Sequence, residues 1–186
     1  MANESNFYEK YEGHFLVARL NVRGTFSRSV VWLFDFSKEK GATGIIVNRP
    51  TGKNIGQCLS NFSGTPAGEV PVFDGGPVDS HKIAFLLRRR DFFSGNTHVK
   101  LGCSAEELAD EISAPGVRAY GIAGHASWVP GQLEYELSCN VWFRAQMDAA
   151  IWDAGGGLVF WRRLVEKHGG VEAELMLRAP EDLSKN

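Results

Sequence analysis

The chain predicts an α+β fold: a single domain with a mixed or mostly antiparallel β-sheet and helices at its periphery. Three observations carry this expectation. Its 186 residues match the length of one ordinary domain. Short runs rich in β-branched and aromatic residues fill the first half. Helical spacing gathers later in the chain, so strands and helices do not alternate as a doubly wound parallel sheet requires.

The elements follow in order. After a polar leader, HFLVARL (14–20) and SVVWLFD (29–35) read as strands. GATGIIVNRPTG (41–52) makes a third, expected to stop at Asn48-Arg49-Pro50 because proline has no N–H for the ladder. Ile55, Cys58, Leu59 and Phe62 recur at helical spacing and predict a short helix. EVPVFDGGPV (69–78) is a strand closed by a Gly-Gly-Pro turn, with KIAFLLR (82–88) and THVKL (97–101) as two more. Ser104 and Glu107 form a capping box, ahead of a helix lined by Ala105, Leu108, Ala109 and Ile112. VRAYGIAG (117–124) is a strand that runs into GHASWVPGQLEYEL (124–137). There Leu133 and Leu137 lie one turn apart, so a helix is expected from Gln132 to Asn140. NVWFRAQM (140–147) reads as a strand. Three glycines (155–157) then precede a helix with Leu158, Trp161, Leu164 and Val165 inward and Gly169 as its stop. VEAELML (171–177) is read as a last strand. No linker, repeat or low-complexity segment intervenes, and the polar ends (1–12 and 179–186) are expected to be flexible. So many short strands leave edges that a curled sheet or partial barrel would remove.

Composition narrows the function. Twenty basic against 22 acidic residues give a net charge of −2, too little to attract nucleic acid or a membrane surface. No helix-turn-helix, zinc-finger or RRM signature occurs; Arg88-Arg89-Arg90 and Arg162-Arg163 read as solvated faces. The polar start and the lack of an apolar run near 20 residues predict a soluble, cytoplasmic protein. Cys58, Cys103 and Cys139 form no CxxC pair and are expected to be mostly buried thiols in a reducing compartment. Phosphate-loop motifs are missing, the five histidines are scattered, and Asp79 with His81 is only a weak pair. No cofactor or metal is expected. There is no GxSxG elbow, and Ser127 two positions after His125 is poorly placed for a base–nucleophile bond.

Glycine and proline cluster at three strand ends: Asn48-Arg49-Pro50, Asp74-Gly75-Gly76-Pro77, and Gly124 to Gly131. Such corners either shape tight turns or let a ligand approach the backbone. Arg28, Asn48 and Gln132 stand beside apolar runs and need partners if buried. Convergence of Asn48, Gly75-Gly76-Pro77 and Trp128 to Gln132 at one end of the sheet would make a shallow site.

The stretches FSRSVVWL (26–33), KGATGIIVNRP (40–50), VFDGGPVD (72–79), GIAGHASWVPGQLEYEL with NVWF (121–143) and FWRRLVEKHGG (160–170) resemble the YqgE/AlgH family of small bacterial proteins. The match runs in order along nearly the whole chain. The resemblance implies a mixed sheet curled into a flattened barrel with helices outside. It also puts Arg28, Ser29, Asn48, Gly75, Gly76, Pro77, Trp128, Gly131, Gln132 and Glu134 in the family's characteristic places. Arg23-Gly24, Leu86-Leu87 and His125 depart from the usual Asp-Pro, Leu-His and aromatic residues, which weakens chemistry at those positions. The family has no established activity, and some members are labelled transcriptional regulators.

The expectation is therefore a non-catalytic domain that binds a small molecule or a protein. Its binding residues would be Arg28, Asn48, Gly75, Gly76, Pro77, Trp128, Gln132 and Glu134. The alternatives are a hydrolase-type enzyme using Glu134 or Glu136, and an indirect transcriptional regulator without its own DNA-binding module. Oligomeric state stays open. A low-salt gel-shift titration checks the nucleic-acid expectation: duplex DNA should run unshifted, and tight binding that weakens steeply with salt would overturn it.

Overall fold

β-Branched and aromatic runs become strands where they are densest, and the short polar breaks become turns. The computed structural model describes residues 5–91, 96–148, 152 and 156–180. In chain order the elements are α1 (Ser5–Glu9), β1 (Phe15–Ala18), β2 (Val30–Ser37), β3 (Gly41–Ile46), β4 (Pro50–Asn54) and α2 (Ile55–Cys58). There follow β5 (Pro71–Asp74), β6 (Val78–Arg90), β7 (Thr97–Leu101), α3 (Ala105–Glu111) and β8 (Val117–Trp128). The last are α4 (Gln132–Ser138), β9 (Trp142–Ala145), α5 (Gly157–His168) and α6 (Ala173–Arg178). The fold is α+β, as expected. It divides into two compact units, Met1–Asn48 with Ala126–Asn186, and Arg49–His125.

In the first unit β1 pairs antiparallel with β2 and with β9, through Phe15↔Trp32 and Phe15↔Ala145. β2 pairs antiparallel with β3, its register shifting between Leu33 and Asp35. The last three residues of β8 add to β3 through Ala42↔Trp128, Thr43↔Ser127 and Gly44↔Ala126. Because strand side chains alternate, the sheet has two apolar faces. One carries Leu16, Val31, Leu33, Ala126, Trp128 and Trp142, which form a single buried cluster with Leu133 of α4. On the other side Phe15 meets Phe160 of α5 edge-on, with ring centroids 5.5 Å apart. Trp161 of the same helix donates its indole N–H to the Ala18 carbonyl at 2.8 Å.

In the second unit β5 runs parallel to β8, through Val72↔Gly121 and Asp74↔Ala123. Antiparallel pairs join β4 to β5, β6 to β8 and β7 to β6, so the sheet is mixed. Its core gathers Ile55 of α2, Leu108 of α3, and Val70, Val72, Leu87 and Val117. Both short helices start at capping boxes, Asn54 with Gln57 and Ser104 with Glu107. Each box satisfies two N–H groups that the first helical turn leaves unpaired.

Several elements differ from the sequence expectation. Pro50 opens β4, a first strand position where a missing N–H costs little. Residues 171–177 form a 3₁₀ turn and α6 where a strand was expected; Ala-Glu-Leu-Met-Leu are strong helix formers, and Met176 is the residue they bury. In α5 Phe160, Trp161, Leu164 and Val165 point inward, whereas Leu158 in the first turn is only half-buried. Gly155 lies outside the described residues. The leader expected to be flexible contains α1, held by Tyr8 and Tyr11 against the first core and by Phe7 and Tyr8 against Phe36. Only Cys103 is a buried thiol; Cys58 and Cys139 are exposed, because each ends a short surface helix. Arg88 is 2% exposed, while Arg89 and Arg90 remain at the surface as expected. No helix among the described residues is long and apolar enough to cross a membrane.

Gly41 shows how tightly the first sheet is built. Its φ is +80°, and a Cβ there would lie 2.1 Å from the Trp128 carbonyl oxygen. Gly41→Ala combines left-handed strain with a backbone clash, so urea denaturation should show a loss of about 2–5 kcal/mol.

Candidate functional site

The stretch GHASWVPGQLEYEL folds as a strand, a tight turn and a helix. Alternation in β8 buries Ala126 and Trp128 and exposes Ser127. Gly131 at φ +82° supplies the left-handed residue before α4. The Gln132 side-chain oxygen accepts the Val129 N–H at 3.2 Å, and Leu133 is fully buried.

Glu136 joins the parts. Its Oε2 accepts the indole N–H of Trp128 at 2.9 Å and that of Trp142 at 2.7 Å. Its Oε1 accepts from the Gln132 carboxamide at 3.0 Å, an i to i+4 contact along α4. The two indoles stand edge to face with centroids 6.2 Å apart, and Phe26 packs on both. A carboxylate set among aromatic rings loses hydration, and charge-assisted donors replace it. Among the described residues, the three donors on this carboxylate all come from the corner it joins.

The other expected site residues in the first unit fall into separate contacts. Glu134 accepts the Tyr8 hydroxyl on Oε1 at 3.1 Å, and its Oε2 is enclosed without a hydrogen-bond partner among the described residues. Arg28 is buried with φ +52°, its guanidinium 5.5 Å over the Trp161 ring. It donates to the carbonyls of Ala179, at 3.1 Å, and Pro180. Asn48, 20 positions on in sequence, is buried against it; its Oδ1 accepts the Val30 N–H at 2.8 Å. Its Nδ2 donates to the carbonyls of Arg28 at 3.0 Å and Gly157 at 3.2 Å. Ser29 donates to the Phe26 carbonyl at 2.8 Å. Arg28 and Asn48 thus share one network, and Trp128 and Gln132 share another.

Gly75, Gly76 and Pro77 belong to the second unit. The Gly75 N–H reaches the Ala123 carbonyl at 2.8 Å, and the Gly76 N–H reaches Asp74 Oδ1 at 3.1 Å. A Cβ on Gly75 would meet the Gly124 oxygen at 2.4 Å, and one on Gly124 would meet the Gly76 oxygen at 2.3 Å. The space glycine leaves is filled by the chain itself. Among the described residues, no three His, Cys, Asp or Glu side chains are grouped to hold a metal ion.

One feature of the second unit was not legible as a site. Leu87, Arg89, His98, Val99, Lys100, Glu111 and Val117 line a cleft of about 320 Å³. Register explains it: Leu87↔Lys100, Arg89↔His98 and Arg89↔Val117 put these five side chains on one sheet face, whereas Val99, opposite Arg88, turns its side chain to the other. Arg89 pairs with Glu111, and Lys100 with Glu107 at 2.6 Å. The hydrogen bond between the last two raises the Lys100 pKa and lowers that of Glu107. The alternation in THVKL already puts His98 and Lys100 on one face; the pairing with Leu87 and Arg89 is tertiary.

These features define an α+β protein with mixed strand pairing, in which an indole–carboxylate corner follows a strand–Pro-Gly–helix turn. The chain belongs to the AlgH-like family, whose model matches residues 15–173. It is 30% identical over 170 residues to a UPF0301 protein of Streptomyces coelicolor, covering 87% of each chain. It is 28% identical over 176 residues to one of Vibrio cholerae, covering 87% of this chain and 94% of that one. The fold resembles the solution structure of the AlgH protein from Pseudomonas aeruginosa, with TM-score 0.65, 24% identity, and 98% of this chain and 100% of that one covered. A crystal structure of a Corynebacterium diphtheriae protein matches with TM-score 0.67 and 20% identity, covering 96% of this chain and 100% of the other.

Glu136→Leu strands two part-buried indole donors, and should cost about 2–5 kcal/mol by chemical denaturation. Tryptophan fluorescence should change with it, since Trp128 and Trp142 both lose their acceptor. A variant of unchanged stability would show the carboxylate to be dispensable to the corner.

Proposed function

We propose that this chain is a non-catalytic binding domain, regulatory in its effect, that presents the outer side of the corner at 128–138 to a protein partner. The carrying observation is the division of labour within that corner. Trp128, Gln132, Glu136 and Trp142 are spent on one another, while Val129 and Tyr135 are 67% and 70% exposed. Large apolar side chains held outward by a rigid element suit recognition of another protein. The exposed thiols Cys58 and Cys139 favour a reducing, cytoplasmic setting. With a net charge of −2, any influence on transcription would run through that partner and not through direct contact with DNA.

A second reading rests on Glu134, whose enclosed Oε2 lies on the same carboxyl group that Tyr8 contacts. A carboxyl held this way could act as a general acid or base in a hydrolase.

Affinity capture with the full chain separates the two. Val129→Glu with Tyr135→Ala should remove a discrete partner at least about tenfold while leaving stability unchanged, because both side chains are at the surface. Equal recovery by parent and variant overturns the binding reading. Turnover on a hydrolase substrate panel, lost in Glu134→Gln, would establish the second reading in its place.

A further inference from the structure

We propose that the cleft of the second unit is a binding site for a small organic carboxylate with an apolar body. Its floor and its rim carry the two halves of that ligand. Leu87 and Val117 are buried, which gives an apolar surface in a cavity of about 320 Å³. Arg89, His98 and Lys100 stand around it as donors. A pocket near the lower end of the usual 300–1,000 Å³ range suits a small ligand with one polar end.

The carboxylate end follows from what the rim already holds. Arg89 meets the Glu111 carboxylate and Lys100 meets that of Glu107, so each cation is already placed to receive this group. Both pairs are exposed, with side chains 53% and 39% accessible in the first and 58% and 47% in the second. Exposed ion pairs contribute little to stability, so a ligand carboxylate can take the place of Glu111 at little cost. His98 adds an exposed imidazole that has no hydrogen bond or ion pair among the described residues. Arginine offers a planar fork to the incoming group, and burial of the apolar body supplies the remaining affinity. An amine ligand would find Glu111 as the lining carboxylate, already covered by Arg89.

The probe is octanoate, titrated into the full chain and followed by amide NMR shifts and calorimetry. Saturable shifts centred on residues 86–90, 97–101 and 107–112 are expected. Arg89→Gln with Lys100→Gln should weaken binding at least about tenfold, the loss expected on removing charge-assisted bonds. Octanol and acetate, each lacking one half of the ligand, should bind more weakly than octanoate. The Val129→Glu, Tyr135→Ala variant should bind octanoate as the parent does, so this test stands apart from the corner reading. No saturable shift, shifts mapping outside the cleft, equal affinity for octanol, or octanoate binding unchanged in the charge-neutralised variant would each overturn the proposal. Tighter binding of octylamine or octyl phosphate than octanoate would likewise overturn the assignment of a carboxylate.

Discussion

The carboxylate of Glu136 is the constraint on which the first unit's signature corner depends. Three donors reach it from three places in the chain: Trp128 at the end of β8, Gln132 in the first turn of α4, and Trp142 at the start of β9. Indole N–H groups are poor candidates for burial unless an acceptor is supplied, and a carboxylate among rings needs donors. Each requirement answers the other. The arrangement lets Leu133 go fully into the core while the polar groups above it stay satisfied. It also needs the Trp128 carbonyl to approach Gly41, where no side chain fits.

The same economy governs the other polar positions. Asn48 uses its carboxamide as a piece of backbone, taking the Val30 N–H and giving to the Arg28 and Gly157 carbonyls. A buried amide with both ends satisfied rigidifies a strand end without reacting. In the second unit the glycines at 75 and 124 allow two backbone segments to touch. Residues that look like a ligand cradle in sequence are therefore largely occupied by the protein itself. Features that stay accessible include Val129 and Tyr135 at the surface, and the cleft bounded by Arg89, His98 and Lys100.

Much of this was legible locally and little of it at a distance. The Ser104–Glu107 capping box depends on four consecutive residues and forms where the sequence puts it. β1, β2, β3, β5 and β7 match dense β-branched or aromatic runs. VEAELML was not decidable by pattern, since its polar and apolar positions suit either period; Met176 packing inward makes it helical. Arg88 looked like its neighbours, and only the face of β6 on which it falls sends it inside while Arg89 stays at the surface. The structural role of Glu136 is not visible locally, because its indole donors lie eight positions before it and six after.

The sequence by itself determined the fold class, the family, most strand positions, the starts of α2 to α5 and the turn at Pro130-Gly131, because these follow from side-chain period and backbone freedom within a few residues. Only the tertiary structure decided which polar groups are spent on the fold and which face outward. Strand register set Arg89 opposite His98 and Val117, and chain packing brought Trp128 and Trp142 to one carboxylate. The physical reason is that a hydrogen-bond partner or a cleft wall can come from any point of the chain, and burial is a property of the assembled surfaces, not of the residue that becomes buried.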